Sequence, residues 1–460
     1  MLHDGGFLYV FQKKLINEVQ TWECVDRRKN KGCKARVKID NDRIIDRVNI
    51  HTHAPNPTQV ETKKVRAAMK RRAETTLDAP HRILSDGLAQ ASEAVVVNMP
   101  TLDNVKRALR RNRDGDDALP INPQTRAAIP VIPNNLAVTS IGDRFLLYDS
   151  GVGDPNRILM FATDQALRLL RQSNHWFGDG TFKVSPSIFF QVYTIHAICH
   201  EKVIPCLYSL LPNKTGPTYN RLLAEVANNM NGHAPLDMLF DFEQAAFNGA
   251  RNTFPGITVK GCFFHLCQNI WKKIQDSGLD QLYINDGEFA ILMRSISALA
   301  FVDEPDVPQA FYDLEAEIRN NYNHNGIDVV LDYFEDTYIG RQRRGRARAA
   351  PMFPIPIWNM FRRTDEDLPR TNNHIEGWHN RFSLNVDGAH PTLWKFIESL
   401  KREESVVRAE IAQVFGGHPV TQAKKYADCA QRIKNIVTAY PARRVDIIRY
   451  LRSISMNLSY

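Results

Sequence analysis

The sequence predicts an α/β fold, with a mixed sheet and helices in the middle of the chain and a small β-rich module before it. Three apolar segments, WFGDGTFKV, FFQVYTIHAICH and KVIPCLYSLLP, follow one another with short separators, as the strands of an antiparallel meander do. Segments with helical and strand-like patterns then alternate along the chain. Near the N-terminus, the stretch FLYVFQKKLINEVQTWECV contains two apolar and aromatic strand candidates.

The composition indicates a folded intracellular protein. A chain of 460 residues with 43% hydrophobic residues can bury a sizeable core. Lys and Arg number 59 against 51 Asp and Glu, and the net charge of +8 is compatible with a polyanionic partner without identifying one. Neither a membrane-spanning run of about 18 apolar residues nor a secretory leader is recognisable. Seven cysteines, an odd number, indicate reduced thiols and metal ligands rather than a disulfide framework.

A candidate metal site lies within residues 1–60. Its ligands would be two thiols and two imidazoles, which tetrahedral Zn²⁺ prefers, from Cys24, Cys33, His51 and His53. A segment this short can scarcely bury enough surface to fold without a metal. His-x-His on a strand would direct both rings to one face, and the long spacing of the cysteines favours a β-rich finger over a ββα finger. Free cysteines and surface histidines are the alternative.

This segment resembles the FLYWCH zinc finger, which is named for the residue types that recur in it. The matching residues are Phe7, Leu8, Tyr9, Trp22, Cys24, Cys33, His51 and His53, with Ala35 and Arg36 after the second cysteine. The resemblance implies a zinc-stabilised β module that contacts DNA or protein.

Residues 61–172 are predicted to form a basic helical segment with an irregular linker. Three helix candidates, ETKKVRAAMKRRA, HRILSDGLAQAS and TLDNVKRALRRNR, could form a helix-turn-helix-like cluster whose last helix would enter a DNA groove. The cationic residues of that last helix are Lys106, Arg107, Arg110 and Arg111. A solvated face, or phosphate contacts without base recognition, is the alternative. The segment ends in a hairpin, RFLLYDSG and RILMFAT, and a short helix.

Residues 173–400 are predicted to form the core domain. The meander is followed by the helix TYNRLLAEVANNMN, the strand DMLFDF, the helix QAAFNGARNTF, the strand ITVKGCFF and the helix HLCQNIWKKIQ. Three antiparallel strands followed by this alternation have the order of a ribonuclease-H-like fold. In that order Asp179 on the first strand and Asp241 at the end of the fourth lie on neighbouring strands. Helices are predicted for an insertion at about 279–370 and for residues 401–460, which would cap the core or form a dimer contact.

Three carboxylates stand in surroundings that suit a metal site. Asp179 lies between Gly178 and Gly180, where the backbone can be approached closely, although a Gly-Asp-Gly turn would also explain it. Glu376 lies in a helix-like stretch, RTNNHIEGWHNRFSLNV, that would pack against the sheet. With Asp241, these acids could bind two Mg²⁺ or Mn²⁺ ions about 3.5–4 Å apart, which clamp the attacking and leaving oxygens of a phosphodiester. Three unrelated acids are the alternative.

Three blocks in this region resemble the transposases of Mutator-like elements. They are WFGDGTFKVSPSIFFQVYTIHA, MLFDFEQAAFNGARNTFPGITVKGCFFHLCQNI and TNNHIEGWHNRF. The resemblance spans about residues 176–394 and implies a catalytic triad of Asp179, Asp241 and Glu376. An N-terminal FLYWCH finger joined to such a domain is also an arrangement associated with this group.

The same resemblance implies a Cys-x-x-His element at Cys262 and His265. Their spacing on one helical turn suits a zinc half-site, with Cys267 or His374 as further ligands. A buried thiol and a capping histidine are the alternative.

Other residues are candidates for contacts with nucleic acid. Arg341, Arg343 and Arg344 belong to a basic run, RQRRGRARAA, that could bind phosphate, serve as a nuclear import signal or have neither role. Trp378, two residues after Glu376, could stack on a displaced base, whereas core packing is the usual fate of such a residue.

These features together predict a nuclear DNA transposase. It would hydrolyse phosphodiester bonds at transposon ends and transfer the strands to target DNA, with Zn²⁺ in the finger and Mg²⁺ or Mn²⁺ in the core. Its partner would be double-stranded DNA, namely the terminal repeats and the target, and the C-terminal helices could form a homodimer. The alternatives are a domesticated DNA-binding or chromatin regulatory protein without catalysis, and a general nuclease of the same fold.

Overall fold

The structure is a computed structural model, and it describes most of the chain. The residues outside the description are 1, 16–18, 28–31, 42, 76–79, 90, 114–119, 201, 344–346, 387–388, 418–423 and 459–460. The chain divides into two compact units, Met1–Ile121 and Asn122–Tyr460. The boundary between them falls within the predicted basic segment of residues 61–172.

The first unit begins with an antiparallel sheet. Its five strands, in the spatial order β1-β2-β3-β4-β5, are β1 (Leu2–Asp4), β2 (Phe7–Lys14), β3 (Gln20–Cys24), β4 (Arg36–Asp40) and β5 (Arg43–Val48). Tyr9 pairs with Cys24 across β2 and β3, and Trp22 pairs with Val37 across β3 and β4. Both cysteines of the predicted finger lie in the small core of this sheet, with Tyr9 and Val37.

Helices follow this sheet in the first unit. They are α1 (Pro57–Thr75), α2 (Pro80–Ala89), α3 (Glu93–Val97) and α4 (Leu102–Arg113). The three predicted helices are therefore present as α1, α2 and α4, and α3 is an addition within the described residues. Met69 of α1, Ile83 and Leu84 of α2, and Val105 and Leu109 of α4 share one buried cluster. The helical pattern of each segment thus reflects a common apolar interior.

The second unit contains a seven-stranded sheet of spatial order β12-β11-β8-β9-β10-β7-β6. Its strands are β6 (Leu146–Asp149), β7 (Leu159–Phe161), β8 (His175–Thr181), β9 (Gln191–Cys199), β10 (Lys202–Leu211), β11 (Asp237–Phe240) and β12 (Thr258–Gly261). The predicted meander is confirmed, since β8, β9 and β10 pair antiparallel in sequence. The predicted hairpin is also confirmed as β6 and β7, which extend the sheet beyond β10. β11 pairs parallel with both β8 and β12, so the strands of Asp179 and Asp241 are neighbours, as predicted.

Helices surround this sheet and make up the rest of the second unit. They are α5 (Asn134–Ala137), α6 (Asp164–Gln172), α7 (Gly216–Asn228), α8 (Gln244–Thr253), α9 (Phe263–Asp276), α10 (Asp280–Asn285), α11 (Gly287–Ala298), α12 (Val307–Asn321), α13 (Asn325–Phe334), α14 (Ile355–Trp358), α15 (Phe361–Asp365), α16 (Asn373–Asn385), α17 (Leu393–Phe415), α18 (Lys424–Thr438), α19 (Tyr440–Arg443) and α20 (Ile447–Ser455). One buried cluster joins sheet residues such as Trp176 to Trp358 in the helical region predicted as an insertion. None of the described helices is long and apolar enough to cross a membrane.

The C-terminal helices pack on the core of their own chain. α17 crosses the predicted boundary at residue 401 without a break and packs against β10, and α20 packs against α11 and α12. The hydroxyl of Tyr450 in α20 donates to the carbonyl of Phe301. These contacts are those of the predicted helical cap.

Candidate functional site

Four side chains of the finger converge on one point. The ligand atoms of Cys24, Cys33, His51 and His53 all lie within 4.8 Å of one another. Cys24 Sγ is 3.3 Å from His53 Nε2, Cys33 Sγ is 3.5 Å from His51 Nδ1, and the two ring nitrogens are 3.4 Å apart. A tetrahedron with Zn–N and Zn–S bonds of about 2.0–2.3 Å has edges of roughly 3.3–3.8 Å. The cluster therefore has the dimensions of a zinc site.

The outer nitrogens of both histidines have their own partners. Tyr9 Oη lies 2.8 Å from His51 Nε2, and the carbonyl of Ala54 lies 3.0 Å from His53 Nδ1. Phe7 stacks on the His51 ring at a centroid distance of 3.5 Å. Such partners fix the tautomer and the orientation of a ligating imidazole. The sequence pattern did not assign these roles to Phe7 and Tyr9, although both belong to the FLYWCH set.

The prediction that a strand presents both histidine rings is wrong. β5 ends at Val48, and His51 and His53 lie in the irregular segment after it. The two rings stand at 84° to each other and use opposite nitrogens. The path of the loop, and not strand alternation, therefore brings the two ring nitrogens together.

The thiols of the finger differ in acidity. Burial raises the pKa of Cys24 to about 11. Burial also acts to raise the pKa of Cys33, but backbone N–H groups of Thr52 and Ala35 outweigh it and lower that pKa to about 7. Cys33 is thus the thiol that is closer to ionisation before a cation binds.

Asp179 and Asp241 meet on neighbouring strands. Asp179 lies on β8 with 5% of its surface exposed, and Asp241 follows β11, which pairs parallel with β8. Burial raises the pKa of Asp179 well above its usual range, and the nearby carboxyl group of Asp241 raises it further. The two predicted acids are therefore close enough to interact, and the raised pKa favours the protonated form of Asp179.

The glycines beside Asp179 make room for side chains of the protein. A Cβ on Gly178 would lie 2.5 Å from Tyr193 Oη, and a Cβ on Gly180 would lie 2.4 Å from Gln191 Oε1. The glycines predict a backbone that a metal or phosphate can approach closely. In the structure, residues of the neighbouring strand β9 occupy that space.

Two further side chains contact the same oxygen of Asp241. His265 Nδ1 lies 2.9 Å from Asp241 Oδ1, and Asn372 Nδ2 donates to that oxygen over 3.3 Å. Burial lowers the pKa of His265, but its interactions with Asp241 and Cys262 raise it to about 11. The imidazolium and the amide therefore stabilise the negative charge of Asp241.

Cys262 makes a different contact from the predicted zinc half-site. It is fully buried, and its Sγ accepts the backbone N–H of Asn372 over 3.2 Å. Among the described residues, no His, Cys, Asp or Glu joins Cys262 and His265 in a compact group of three ligands. This arrangement favours the alternative of a buried thiol, with His265 acting on Asp241.

Glu376 lies farther from the aspartates. It is half-buried in the first turn of α16, and burial raises its pKa, with the charge of His265 lowering it and the charge of Asp241 raising it. The ligand oxygens of Asp179, Asp241 and Glu376 do not all lie within 4.8 Å of one another. The structure therefore places Glu376 within electrostatic reach of Asp241, but it does not form a compact group of three carboxylates.

A neutral histidine borders Asp179 on the other side. His379 Nδ1 lies 3.5 Å from Asp179 Oδ2, and burial lowers the pKa of His379 to about 4. His379 follows Glu376 by three residues on α16, so the same helix contacts both parts of the acid site.

Trp378 occupies a core position. Only 4% of its surface is exposed, its ring stacks on Phe382 at 5.0 Å, and its indole N–H donates to Glu403 over 2.8 Å. This placement favours core packing, the alternative interpretation, because the ring has no free face for a base.

Each basic candidate whose side chain the structure describes has an acidic partner or is exposed. Arg341 pairs with Asp332 and Asp336, Arg343 is exposed, and Arg344 lies outside the described residues. On α4, Lys106 is 3.3 Å from Asp103 and Arg107 is exposed, whereas the side chains of Arg110 and Arg111 are outside the description.

Comparison with known proteins identifies two domains. Residues 1–53 match the FLYWCH zinc finger domain, and residues 175–269 match the MULE transposase domain. Both resemblances predicted from the sequence are thereby confirmed, and they support a transposase-related role. The first match contains all four finger ligands, while the second contains Asp179 and Asp241 and ends before Glu376. No curated protein matches the chain.

Proposed function

We propose that this chain, which carries a FLYWCH zinc finger and a MULE transposase domain, is a DNA transposase that hydrolyses phosphodiester bonds at transposon ends and transfers the strands to target DNA. The observation that carries the proposal is the contact of Asp179 with Asp241 across β8 and β11, inside the MULE transposase domain. The sheet order supports a ribonuclease-H-like core, since an antiparallel meander is flanked on the side of its first strand by two parallel strands.

The acid site suits hard divalent cations. Its donors are carboxylate oxygens, which Mg²⁺ and Mn²⁺ prefer, and the raised pKa of buried Asp179 favours a proton that a cation would replace. Glu376 would supply the third carboxylate. Bound cations would activate the attacking water or 3′-hydroxyl and stabilise the leaving oxygen. His265 Nδ1 contacts Asp241 Oδ1, and neutral His379 borders Asp179 without adding charge.

We assign DNA binding to the first unit and to exposed cations. The finger would bind Zn²⁺ through Cys24, Cys33, His51 and His53, whose spacing fits that ion. The cations of α4 and of the basic run would contact phosphates, namely Lys106, Arg107, Arg110, Arg111, Arg341, Arg343 and Arg344. A DNA transposase with these partners would act in the nucleus.

Strand cleavage tests the proposal. The full-length chain, loaded with zinc, is mixed with labelled DNA that carries the terminal repeats of its own element, in Mn²⁺ or Mg²⁺. We expect nicks at the repeat ends with the wild type, and none with Asp179→Asn, Asp241→Asn or Glu376→Gln. Asp276→Asn, an exposed acid at the end of α9, is the matched control and should cleave normally.

One observation favours a second function, that of a domesticated DNA-binding or chromatin regulatory protein. Glu376 stands apart from the two aspartates, and the MULE match ends before it. A wild-type protein that binds the repeats but leaves them intact at saturating Mn²⁺ would support this second function. Cleavage without preference for repeat ends would instead indicate a general nuclease.

A further inference from the structure

Asn372 makes hydrogen bonds to Asp241, to Cys262 and to the backbone of Glu376. It is 1% exposed and lies immediately before α16 as the N-cap residue. An Asn at this position usually caps its own helix by accepting an N–H of the first turn with its side chain. Here the side chain makes no such bond. Its Nδ2 donates instead to Asp241 Oδ1, at the end of β11.

The backbone of Asn372 holds the helix that carries the third acid. Its carbonyl accepts the N–H of Ile375 over 2.7 Å and the N–H of Glu376 over 3.0 Å. The same residue therefore bonds to the carboxylate of Asp241 with its side chain and to the backbone of Glu376 with its carbonyl.

The N–H of Asn372 completes a third connection. It donates to Cys262 Sγ, and Cys262 is the residue that precedes α9, the helix of His265. The N–H of Cys262 in turn donates to the carbonyl of Phe240, the last residue of β11. The start of α16, the start of α9 and the end of β11 are thus joined through one buried residue, and all three elements contribute to the acid site.

We propose that Asn372 is the positioning residue that fixes Asp241 and Glu376 relative to each other for divalent cation binding, an inference that rests on the proposed transposase function. Asp241 Oδ1 receives both His265 and Asn372, so its rotation is restrained and Oδ2 is the oxygen left for a cation. Cys262 has the role of an acceptor for the N–H of Asn372 and needs no zinc ion. Asn372 Oδ1 is buried without a partner among the described residues, as expected for a side chain whose orientation is set by its amide group.

Asn372→Ser separates positioning from helix capping. Serine is as good an N-cap residue as asparagine, but it is too short to reach Asp241. Asn373→Ser, at the exposed neighbouring residue, is the matched control. Mn²⁺ is titrated into the zinc-loaded full-length protein, and the EPR signal of free Mn²⁺ gives the affinity without any measurement of activity.

We expect Asn372→Ser to weaken Mn²⁺ binding by about 10–100-fold, the usual effect of removing a residue that orients a metal ligand. Asn373→Ser should bind as the wild type does. Both variants should remain folded when Mn²⁺ is absent, and Asn372→Ser should unfold at a somewhat lower temperature because it loses the hydrogen bond to Asp241. In a Glu376→Gln background the loss caused by Asn372→Ser should be smaller, because one of the two positioned acids is already gone.

Three outcomes would overturn the inference. Equal Mn²⁺ affinity of Asn372→Ser and wild type would leave the proposed function intact and remove the role of Asn372. A wild type that takes up no Mn²⁺ would contradict the proposed function itself and the inference with it. If Asn372→Ser and Asn372→Thr, which also retains an N-cap hydroxyl, both fail to fold, Asn372 serves the fold and its positioning role is wrong.

Discussion

The finger site and the acid site differ in how completely the protein assembles them without an ion. In the finger, the four ligand atoms already lie within 4.8 Å of one another, and three of their separations are 3.3–3.5 Å, as in a tetrahedral zinc site. In the acid site, Asp179 and Asp241 touch, while Glu376 remains apart. The difference follows from charge, since thiols and imidazoles can pack as neutral groups and three carboxylates cannot.

The side chains and carbonyls around the two sites differ in charge in the same way. The finger ligands are oriented by neutral partners, Tyr9 and the carbonyl of Ala54. The acid pair keeps a proton on Asp179 and an imidazolium of His265 on Asp241. Zn²⁺ should therefore bind finger ligands that already lie in position. At the acid site, a divalent cation must replace the proton of Asp179, and Glu376 must move closer to the two aspartates.

The largest expected effect is the loss of zinc from the finger. Removing zinc with a chelator, or through Cys24→Ser, should unfold the first 56 residues, because a structural zinc ion contributes about 10 kcal/mol or more to such a small module. Amide hydrogen exchange should become fast in β2–β4 and stay slow in β8–β10, whose core is separate. Cys429→Ser, which changes a cysteine outside the finger, is the control and should retain slow exchange. Protected finger strands after chelation would contradict the zinc assignment.

The second expected effect is that of Asp179→Asn, which should lower the cleavage activity but raise the stability of the protein. Asp179→Asn should reduce strand cleavage at least about 100-fold, since it removes a direct ligand and even orienting residues contribute 10–100-fold. It should also raise the free energy of unfolding of the metal-free protein by about 1 kcal/mol, because it removes a buried carboxyl whose ionisation is opposed by burial and by the charge of Asp241. Thermal unfolding in the absence of divalent cations measures this change.

Asp241→Asn gives the contrast for that experiment. It should abolish cleavage as well, but it should lower stability, because it leaves the buried imidazolium of His265 without its partner. If both substitutions shifted stability in the same direction, the assignment of the shared proton to Asp179 would be wrong. Substitution of a finger ligand should not raise the free energy of unfolding, as Asp179→Asn does, because each finger ligand contributes to stability as well as to zinc binding.

The sequence determined the ligands better than their geometry. Residue types and spacing identified Cys24, Cys33, His51 and His53, and the strand order placed Asp179 beside Asp241. The choice of ring nitrogens could not be predicted, because it depends on the path of the loop after β5.

Long-range contacts were also beyond sequence patterns. Asn372 and Asp241 are 131 positions apart, and no periodicity or motif relates them. The sequence left the role of Trp378 open between base stacking and core packing for another reason. One face of α16 lies toward the acid site and another toward α17. The sequence shows only that both faces carry aromatic or charged residues.

The third expected effect is a pH dependence that is specific to the acid site. The pKa of Asp179 is raised in the folded protein, so the stability it contributes is present below the ordinary aspartate pKa of about 4 and is lost as pH rises through the raised value. Between about pH 4 and 6, the free energy of unfolding should therefore fall more steeply with rising pH for the wild type than for Asp179→Asn. The difference between the two slopes should be at most about 1.4 kcal/mol per pH unit. His265 is protonated in both states over this range. The lowered pKa of His379 acts in the opposite direction, but equally in both proteins.

Denaturant unfolding at several pH values, without divalent cations, measures this slope. Identical slopes for the two proteins would show that Asp179 does not hold the proton. Adding Mn²⁺ should remove the difference in slope, since a bound cation ionises Asp179 at every pH where it binds.

The smallest expected effect tests the orienting partners of the finger. Tyr9→Phe removes the hydroxyl 2.8 Å from His51 Nε2 and keeps the ring in the core. We expect zinc affinity to fall about 10-fold, the lower end of the effect for residues that orient a ligand, because the four ligand atoms stay in place. Competition with a chromophoric chelator measures the affinity, and Phe11→Leu, at an exposed position of the same strand, is the control. A loss as large as that expected for Asn372→Ser would mean that the finger, like the acid site, depends on its neighbours to bring its ligands together.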